Sequence, residues 1–172
     1  MRTIVLLGLR GAGKSSVARE LARALGREAV DTDDLVAERA RKSIARTFAE
    51  DGEARFRELE AEALRDALAR RSIVAPGGGA VTRPENREAI RDSGALVVYL
   101  RARPETLAAR VEADAASAAT RPALAPGGPL AEARALLAAR EAHYLGLAQL
   151  VVETDGLTVS EVAGRVLAHV QL

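Results

Sequence analysis

Short apolar runs alternate along the chain with longer segments in which apolar residues recur every three or four positions. The short runs are rich in β-branched residues, which is typical of buried strands. Five such runs predict strands at residues 3–7, 28–31, 72–75, 95–100 and 150–153. The periodic segments predict helices at residues 14–25, 32–41, 43–51, 53–71, 84–92, 104–112, 130–145 and 158–170.

The alternation of strands and helices indicates βαβ units and a parallel sheet with helices on both faces. We therefore expect an α/β fold with three layers (α/β/α) and a five-stranded parallel sheet. The chain contains neither an internal repeat nor a linker-like segment, so residues 1–172 are expected to form a single domain. Residues 113–129 are rich in Ala, Pro and Gly and lack periodicity, which predicts a mobile loop.

The composition narrows the classes of function. The chain has no cysteine and only two histidines, which excludes thiolate metal sites and argues against a histidine-based one. A formal net charge of +1 argues against a nucleic-acid-binding surface. No apolar run is long enough to span a membrane and no signal peptide is evident, so a soluble cytoplasmic protein is expected. No apolar stripe is left over for self-association, so a monomer is expected.

A phosphate-binding motif lies between the first predicted strand and the first predicted helix. Residues 8–15 read Gly-Leu-Arg-Gly-Ala-Gly-Lys-Ser, which matches the P-loop pattern. The glycines let successive backbone N–H groups point at phosphate oxygens, and the helix N-terminus adds positive partial charge. Only Lys14 and Lys42 are lysines among 25 basic residues, so a lysine at position 14 indicates a chemical requirement. The predicted ATP-binding residues of this motif are Gly11, Ala12, Gly13, Lys14, Ser15 and Ser16.

Carboxylates follow the second predicted strand. Ligands bind at the carboxyl ends of strands in open α/β sheets, and we expect the first two strands to be neighbours there. Asp31 and Asp33 supply two carboxylates. One of them could hold Mg²⁺ through water, and the other could orient or deprotonate an acceptor hydroxyl. The Ser15 hydroxyl could also bind Mg²⁺. The alternative is helix capping, which we expect of Asp33 or Asp34.

Further candidates follow the third strand and lie on later helices. Gly77, Gly78 and Gly79 allow the backbone to approach a ligand closely. Arg140 lies four residues before Tyr144, so the two share a helix face, and its guanidinium suits a carboxylate or a phosphate. Arg121 lies in the predicted mobile loop, where it could close over phosphates. Arg57, taken by itself, resembles an ordinary surface arginine.

Together these residues resemble shikimate kinase, a small P-loop enzyme of the nucleoside-monophosphate-kinase-like class. The shared motifs follow the family's order and cover most of the chain. They are the P-loop, Asp31-Thr32-Asp33, the stretch 51–57 with Glu60, residues 77–81, Arg121-Pro122, and Arg140 to Tyr144. The resemblance implies ATP-dependent phosphorylation of shikimate to 3-phosphoshikimate, a step of aromatic amino-acid biosynthesis. It also implies a lid at about 112–129 and a shikimate-binding helical segment at about 32–62.

The resemblance also implies a role for each matched residue. Lys14 would stabilise the transferring phosphoryl group, and Arg121 would be the lid arginine that completes the ATP site. Arg110 resembles the residue that stacks on adenine. Ser15 and Asp31 would hold Mg²⁺, the only cofactor implied besides the substrate ATP.

On the acceptor side, the resemblance implies that Asp33 binds the hydroxyl of shikimate and acts as its base. Arg57 and Arg140 would grip the carboxylate, and the backbone of Gly77, Gly78 and Gly79 would contact the ring substituents.

Two other functions remain open from the sequence. A related small-molecule kinase, such as a gluconate kinase, would share the P-loop and the lid. A ligand-sensing domain of the same fold would bind without turnover. Phe56-Arg57 and the triple glycine favour shikimate. Intact Lys14, Asp31 and Asp33 favour chemistry over sensing.

Overall fold

A single five-stranded parallel sheet organises the protein, whose computed structural model describes residues 2–114 and 127–170. The strand order is β2-β3-β1-β4-β5, and every neighbouring pair is parallel. The strands are β1 (Ile4–Leu7), β2 (Ala29–Asp31), β3 (Ile73–Ala75), β4 (Leu96–Arg101) and β5 (Leu150–Glu153). The predicted α/β class and the predicted number of strands are confirmed.

The position of β2 in the sheet differs from our expectation. We predicted that β1 and β2 are neighbours, and this is wrong because β3 lies between them. Ile73 of β3 pairs with Ile4 of β1 on one side and with Ala29 of β2 on the other. All three strands are short and mainly apolar, so their composition does not determine which of them pair.

Helices flank this sheet, and most begin and end within two residues of their predicted bounds. They are α1 (Lys14–Leu25), α2 (Thr32–Ala40), α3 (Ile44–Ala69), α4 (Pro84–Asp92), α5 (Pro104–Ala113), α6 (Gly128–Leu147) and α7 (Val159–Val170). The predicted break between two helices is confirmed inside α3, where Gly52 has φ 83° and ψ 168°. A short 3₁₀ turn over Ala80–Thr82 was not predicted.

The buried apolar residues form two clusters. The larger one surrounds the sheet and contains the whole of β1, which is fully buried. The smaller one joins α2 to α3 through Val36, Phe56, Leu59 and Ala63. Because this second cluster is separate, the α2–α3 pair forms a packed arm beside the carboxyl ends of β1, β2 and β3. No helix in the described part of the chain is both long and apolar enough to cross a membrane.

Candidate active site

The P-loop has a backbone conformation that favours glycine at three positions. Gly8, Gly11 and Gly13 have φ values of 148°, 85° and 89°. A Cβ atom at Gly8 would lie 2.8 Å from the carbonyl oxygen of Leu100, and one at Gly11 would lie 2.7 Å from that of Leu107. These contacts fix the loop against β4 and α5 and leave its amide groups at the start of α1.

Lys14 lines a large cavity at this end of the sheet. Its Nζ donates to the carbonyl oxygens of Gly8 and Leu9 at 2.9 and 3.0 Å. The cavity has a volume of about 680 Å³ and is called the phosphate cavity below. Its lining includes all six predicted P-loop contacts, namely Gly11, Ala12, Gly13, Lys14, Ser15 and Ser16.

Asp31 connects the second strand to the P-loop. Its Oδ2 accepts a hydrogen bond from the Ser15 hydroxyl at 2.5 Å, and its Oδ1 accepts one from the backbone N–H of Asp33 at 2.9 Å. Asp31 is therefore the N-cap of α2, and our prediction that Asp33 or Asp34 caps this helix is wrong. The reason is that Asp31 keeps an extended backbone, from which its side chain reaches two residues ahead.

The Ser15–Asp31 pair also suits a hard divalent cation, because a hydroxyl and a carboxylate offer oxygen ligands. The described residues hold no group of three or more His, Asp or Glu side chains arranged for a metal. A cation bound here would therefore take most of its ligands from water and from phosphate oxygens, as Mg²⁺ does with nucleotides.

The triple glycine makes room for side chains of the α2–α3 arm. A Cβ atom at Gly77 would lie 2.8 Å from Glu60 Oε1 and 3.0 Å from Asp33 Oδ1, and one at Gly79 would lie 2.8 Å from Arg57 Nη1. None of the three glycines has a positive φ, so a side chain at Gly77 or Gly79 would disturb these polar groups and not the backbone conformation.

Arg57 is held by a buried carboxylate. Its Nη1 donates to Glu60 Oε2 at 2.8 Å, and the Glu60 side chain is only 1% exposed. Burial raises the pKa of the Glu60 carboxyl, and the positive charges of Arg57 and Arg140 partly oppose that rise. Arg57 is thus directed into the site, although its sequence context suggested an ordinary surface residue.

A second cavity, called the acceptor cavity below, has a volume of about 80 Å³. Side chains and backbone groups from α2, α3, α6, the P-loop and the loop after β3 meet there. Its polar lining is Arg10, Asp33, Arg57, Glu60, Glu132, Arg140 and the backbone of Gly77, Gly78 and Gly79, and its apolar lining is Ile44, Phe48, Phe56 and Leu136.

Tyr144 holds the glycine loop that lines the acceptor cavity. It is 1% exposed, and its hydroxyl donates to the carbonyl oxygen of Gly78 at 2.6 Å. Burial raises the pKa of Tyr144 to about 12, so the phenol remains a donor at neutral pH. Because Arg140 precedes Tyr144 by one helical turn, this contact sets the register between α6 and the glycine loop.

Arg110 lies beside the P-loop and does not line the acceptor cavity. Its guanidinium donates to the carbonyl oxygen of Gly11 at 3.3 Å and to that of Thr154 at 2.8 Å. It lines the phosphate cavity, where a nucleotide base could stack on it. Arg121 and most of the predicted lid at 112–129 lie outside the described residues.

No role was predicted for Glu60 or Tyr144, although each carries a local signal. Glu60 lies three residues after Arg57 and Tyr144 lies four residues after Arg140, spacings at which helical side chains interact.

Comparison with known proteins agrees with this geometry. A sequence model described as SKI, shikimate kinase, matches residues 10–171. The chain belongs to the shikimate kinase family. Among curated members, the shikimate kinase of Symbiobacterium thermophilum is 43% identical over 169 residues, covering 98% of this chain and 95% of the relative. That of Bordetella pertussis is 41% identical over 169 residues, covering 98% of this chain and 78% of the relative.

Solved structures of the family have the same fold. The shikimate kinase of Acinetobacter baumannii in complex with shikimate superposes with a TM-score of 0.91 at 33% identity, covering 99% of this chain and 93% of the other. A gluconokinase from Sinorhizobium meliloti superposes with a TM-score of 0.67 at 19% identity, covering 99% of this chain and 91% of the other. That likeness shows a common fold alone.

Proposed function

We propose that this chain transfers the γ-phosphoryl group of ATP to the 3-hydroxyl of shikimate, forming 3-phosphoshikimate and ADP. The observation that carries the proposal is the meeting of two cavities at Asp33, which lines both. One cavity is formed around the P-loop, and the other presents two arginines to a small acidic acceptor. Membership of the shikimate kinase family supports this choice of acceptor.

Arg57 and Arg140 would bind the carboxylate of shikimate. Both line the acceptor cavity, and a guanidinium can donate two parallel hydrogen bonds to a carboxylate. The backbone of Gly77, Gly78 and Gly79 would contact the ring hydroxyls. With the carboxylate anchored by the two arginines, the 3-hydroxyl would face Asp33.

Asp33 would orient the acceptor hydroxyl and receive its proton. The hydroxyl oxygen forms a bond to the γ-phosphorus while the bond from that phosphorus to the β–γ bridging oxygen breaks. ADP leaves with the bridging oxygen, and the hydroxyl proton passes to the Asp33 carboxylate and then to water. Asp33 is suited to this because it is only 9% exposed and is held at the start of α2.

Lys14 and the P-loop amides would neutralise charge on the β- and γ-phosphates. Gly11, Ala12, Gly13, Ser15 and Ser16 line the same cavity, and Arg110 would stack on the adenine. Kinases that use ATP generally need a divalent metal, and we propose Mg²⁺ held by Ser15 directly and by Asp31 through water. Bound Mg²⁺ would neutralise phosphate charge. The lid role of Arg121 stays a prediction.

The organisation of the chain belongs to the same proposal. The chain would comprise one kinase domain, with a lid at about 112–129 and an acceptor-binding segment at about 32–62. It would act as a monomer. Consumption of shikimate would place the activity in aromatic amino-acid biosynthesis.

An ADP-release assay with the purified chain tests the proposal. We expect ADP release with ATP and shikimate, and background release with gluconate under the same conditions. Release with gluconate alone would overturn the proposed acceptor. Shikimate binding by calorimetry without any ADP release would instead indicate the ligand-sensing alternative.

A further inference from the structure

Arg10 is a cation of the P-loop to which neither the motif nor the proposed function gives a role. Among the described residues, Arg10 and Asp33 are the two that line both the phosphate cavity and the acceptor cavity. A phosphoryl group that moves from ATP to the acceptor must cross the boundary that these two residues share. Asp33 is an anion that can accept the proton of the acceptor hydroxyl, and Arg10 is a cation.

The backbone fixes the position of Arg10. The Ala12 N–H donates to the carbonyl oxygen of Leu9 at 3.1 Å, which closes a tight turn with Arg10 and Gly11 at its two central positions. Gly11 has a φ of 85°, as the third residue of a type II turn requires. Leu9 is buried, while Arg10 is half-buried. The turn therefore anchors Leu9 in the core and presents Arg10 at the cavity boundary.

The chemistry of the side chain suits a phosphate. A guanidinium is always charged and has five N–H donors in a planar fork, which can bind two oxygens of one phosphate together. Glu132 also lines the acceptor cavity, and five donors are enough to serve a carboxylate and a phosphate at once. Shikimate carries one negative charge, and its phosphorylated product carries about three near neutral pH, because a phosphate monoester adds about −2.

We propose that Arg10 contacts the phosphoryl group from the acceptor side during transfer and then holds the phosphate monoester of the product. Lys14 approaches the same phosphoryl group from the nucleotide side, so the two cations lie on either side of this group during transfer. This assignment rests on the proposed function. Arg10 would then recognise a phosphate that the free acceptor lacks. Its role differs from that of Arg57 and Arg140, which bind the carboxylate found in both the acceptor and the product.

The test compares Arg10→Met and Arg10→Lys with the unchanged chain. ADP release gives kcat and KM, and calorimetry gives the Kd values of shikimate and of 3-phosphoshikimate separately. We expect Arg10→Met to lower kcat about 10-fold or more and to weaken 3-phosphoshikimate binding by a similar factor. The Kd of shikimate should change less than about 2-fold, and Arg10→Lys should retain part of kcat because it keeps the charge. Arg23→Met, on the exposed face of α1, is the matched control.

Two results would overturn the Arg10 assignment alone while the unchanged chain remains active. One is an Arg10→Met variant with normal kcat and normal product affinity. The other is equal weakening of shikimate and 3-phosphoshikimate, which would assign Arg10 to the carboxylate. Failure of the unchanged chain to release ADP with shikimate would overturn the proposed function and this assignment with it. A circular dichroism melt of each variant establishes that it is folded.

Discussion

The phosphate cavity and the acceptor cavity meet at Asp33, yet the protein builds them in different ways. The phosphate cavity is built around one continuous loop, residues 8–15, whose φ angles at Gly8, Gly11 and Gly13 favour glycine. The acceptor cavity depends on side chains from the separate elements α2, α3 and α6. Variants of the P-loop should therefore act mainly on turnover, and variants of the acceptor cavity mainly on acceptor affinity.

The largest effect is expected for Lys14→Ala. Loss of the cation proposed to neutralise the β- and γ-phosphates should lower kcat by about 10³-fold or more, because transfer depends on charge neutralisation. The measurement is kcat by ADP release, with a thermal melt to verify folding. Lys42→Ala is the matched control, since Lys42 is the only other lysine and pairs with Glu50 and Asp51 outside both cavities. Near-normal turnover by Lys14→Ala would refute the role of Lys14.

Asp33→Asn tests whether Asp33, which lines both cavities, accepts the proton of the acceptor hydroxyl. The amide keeps the shape of the side chain but cannot accept the hydroxyl proton, so kcat should fall about 10²- to 10⁴-fold. The Kd of ATP should change little, because the P-loop is untouched. The measurement pairs steady-state kcat with calorimetric ATP binding. An unchanged kcat would leave Asp33 without a chemical role.

Arg140→Ala tests the acceptor cavity by itself. Loss of a charged hydrogen bond to the carboxylate costs about 1.5–3 kcal/mol, which corresponds to a rise of about 10- to 100-fold in the KM for shikimate. The KM for ATP should remain within about 2-fold. Arg134→Ala is the control, because Arg134 lies on the same helix but pairs with Glu105 at the surface. A selective loss of ATP affinity would contradict the assignment of Arg140.

Glu60→Gln tests how the buried carboxylate holds Arg57. We expect the KM for shikimate to rise about 10-fold as the charged pair is lost. Burial raises the pKa of Glu60 above its ordinary value of 4.5, so the folded protein binds this proton more tightly than the unfolded chain does. The contribution of Glu60 to stability therefore falls as pH rises from about 4.5 through the raised pKa.

Urea unfolding of the Glu60→Gln variant and of the unchanged chain across this range measures the pH effect. The free energy of unfolding of the variant, relative to the unchanged chain, should increase with pH. A constant difference would show that the pKa of Glu60 does not differ between the folded and unfolded states.

The smallest effect is expected for Tyr144→Phe. The ring stays buried, but the hydrogen bond to the Gly78 carbonyl is lost, at a cost of about 0.5–1.5 kcal/mol. We expect a rise of about 2- to 10-fold in the KM for shikimate with kcat nearly unchanged. Gly146→Ala is the control in the same helix, because a Cβ atom there would meet nothing within 4 Å. An equal loss of kcat and of stability without any change in KM would give Tyr144 a structural role alone.

The same contrast explains what could be predicted from the sequence. The P-loop was evident because its residues are continuous in sequence and because its glycines are favoured by the backbone conformation of the loop itself. Strand β5 and helix α4 also have their predicted bounds, since periodicity and Pro84 define them locally. The insertion of β3 between β1 and β2 was missed because short apolar strands do not encode their neighbours.

In the acceptor cavity, the sequence provided candidates but not their geometry. Arg57 enters the cavity because Glu60 is buried beside it, and that burial depends on the packing of α3 against the loop after β3. The capping role of Asp31 was missed because it depends on backbone angles at the end of β2. Such tertiary contacts join positions distant in sequence, and no local pattern records them.

The most direct test of the central claim is the product itself. The unchanged chain is incubated with ATP, Mg²⁺ and shikimate. ³¹P nuclear magnetic resonance follows the phosphate groups, and ¹H nuclear magnetic resonance follows the protons of the shikimate ring. We expect ADP and one new phosphate monoester, on the 3-hydroxyl, in equal amounts. Formation of ADP with inorganic phosphate alone, or a phosphate on a different hydroxyl, would contradict the placement of the acceptor between Asp33 and the two arginines.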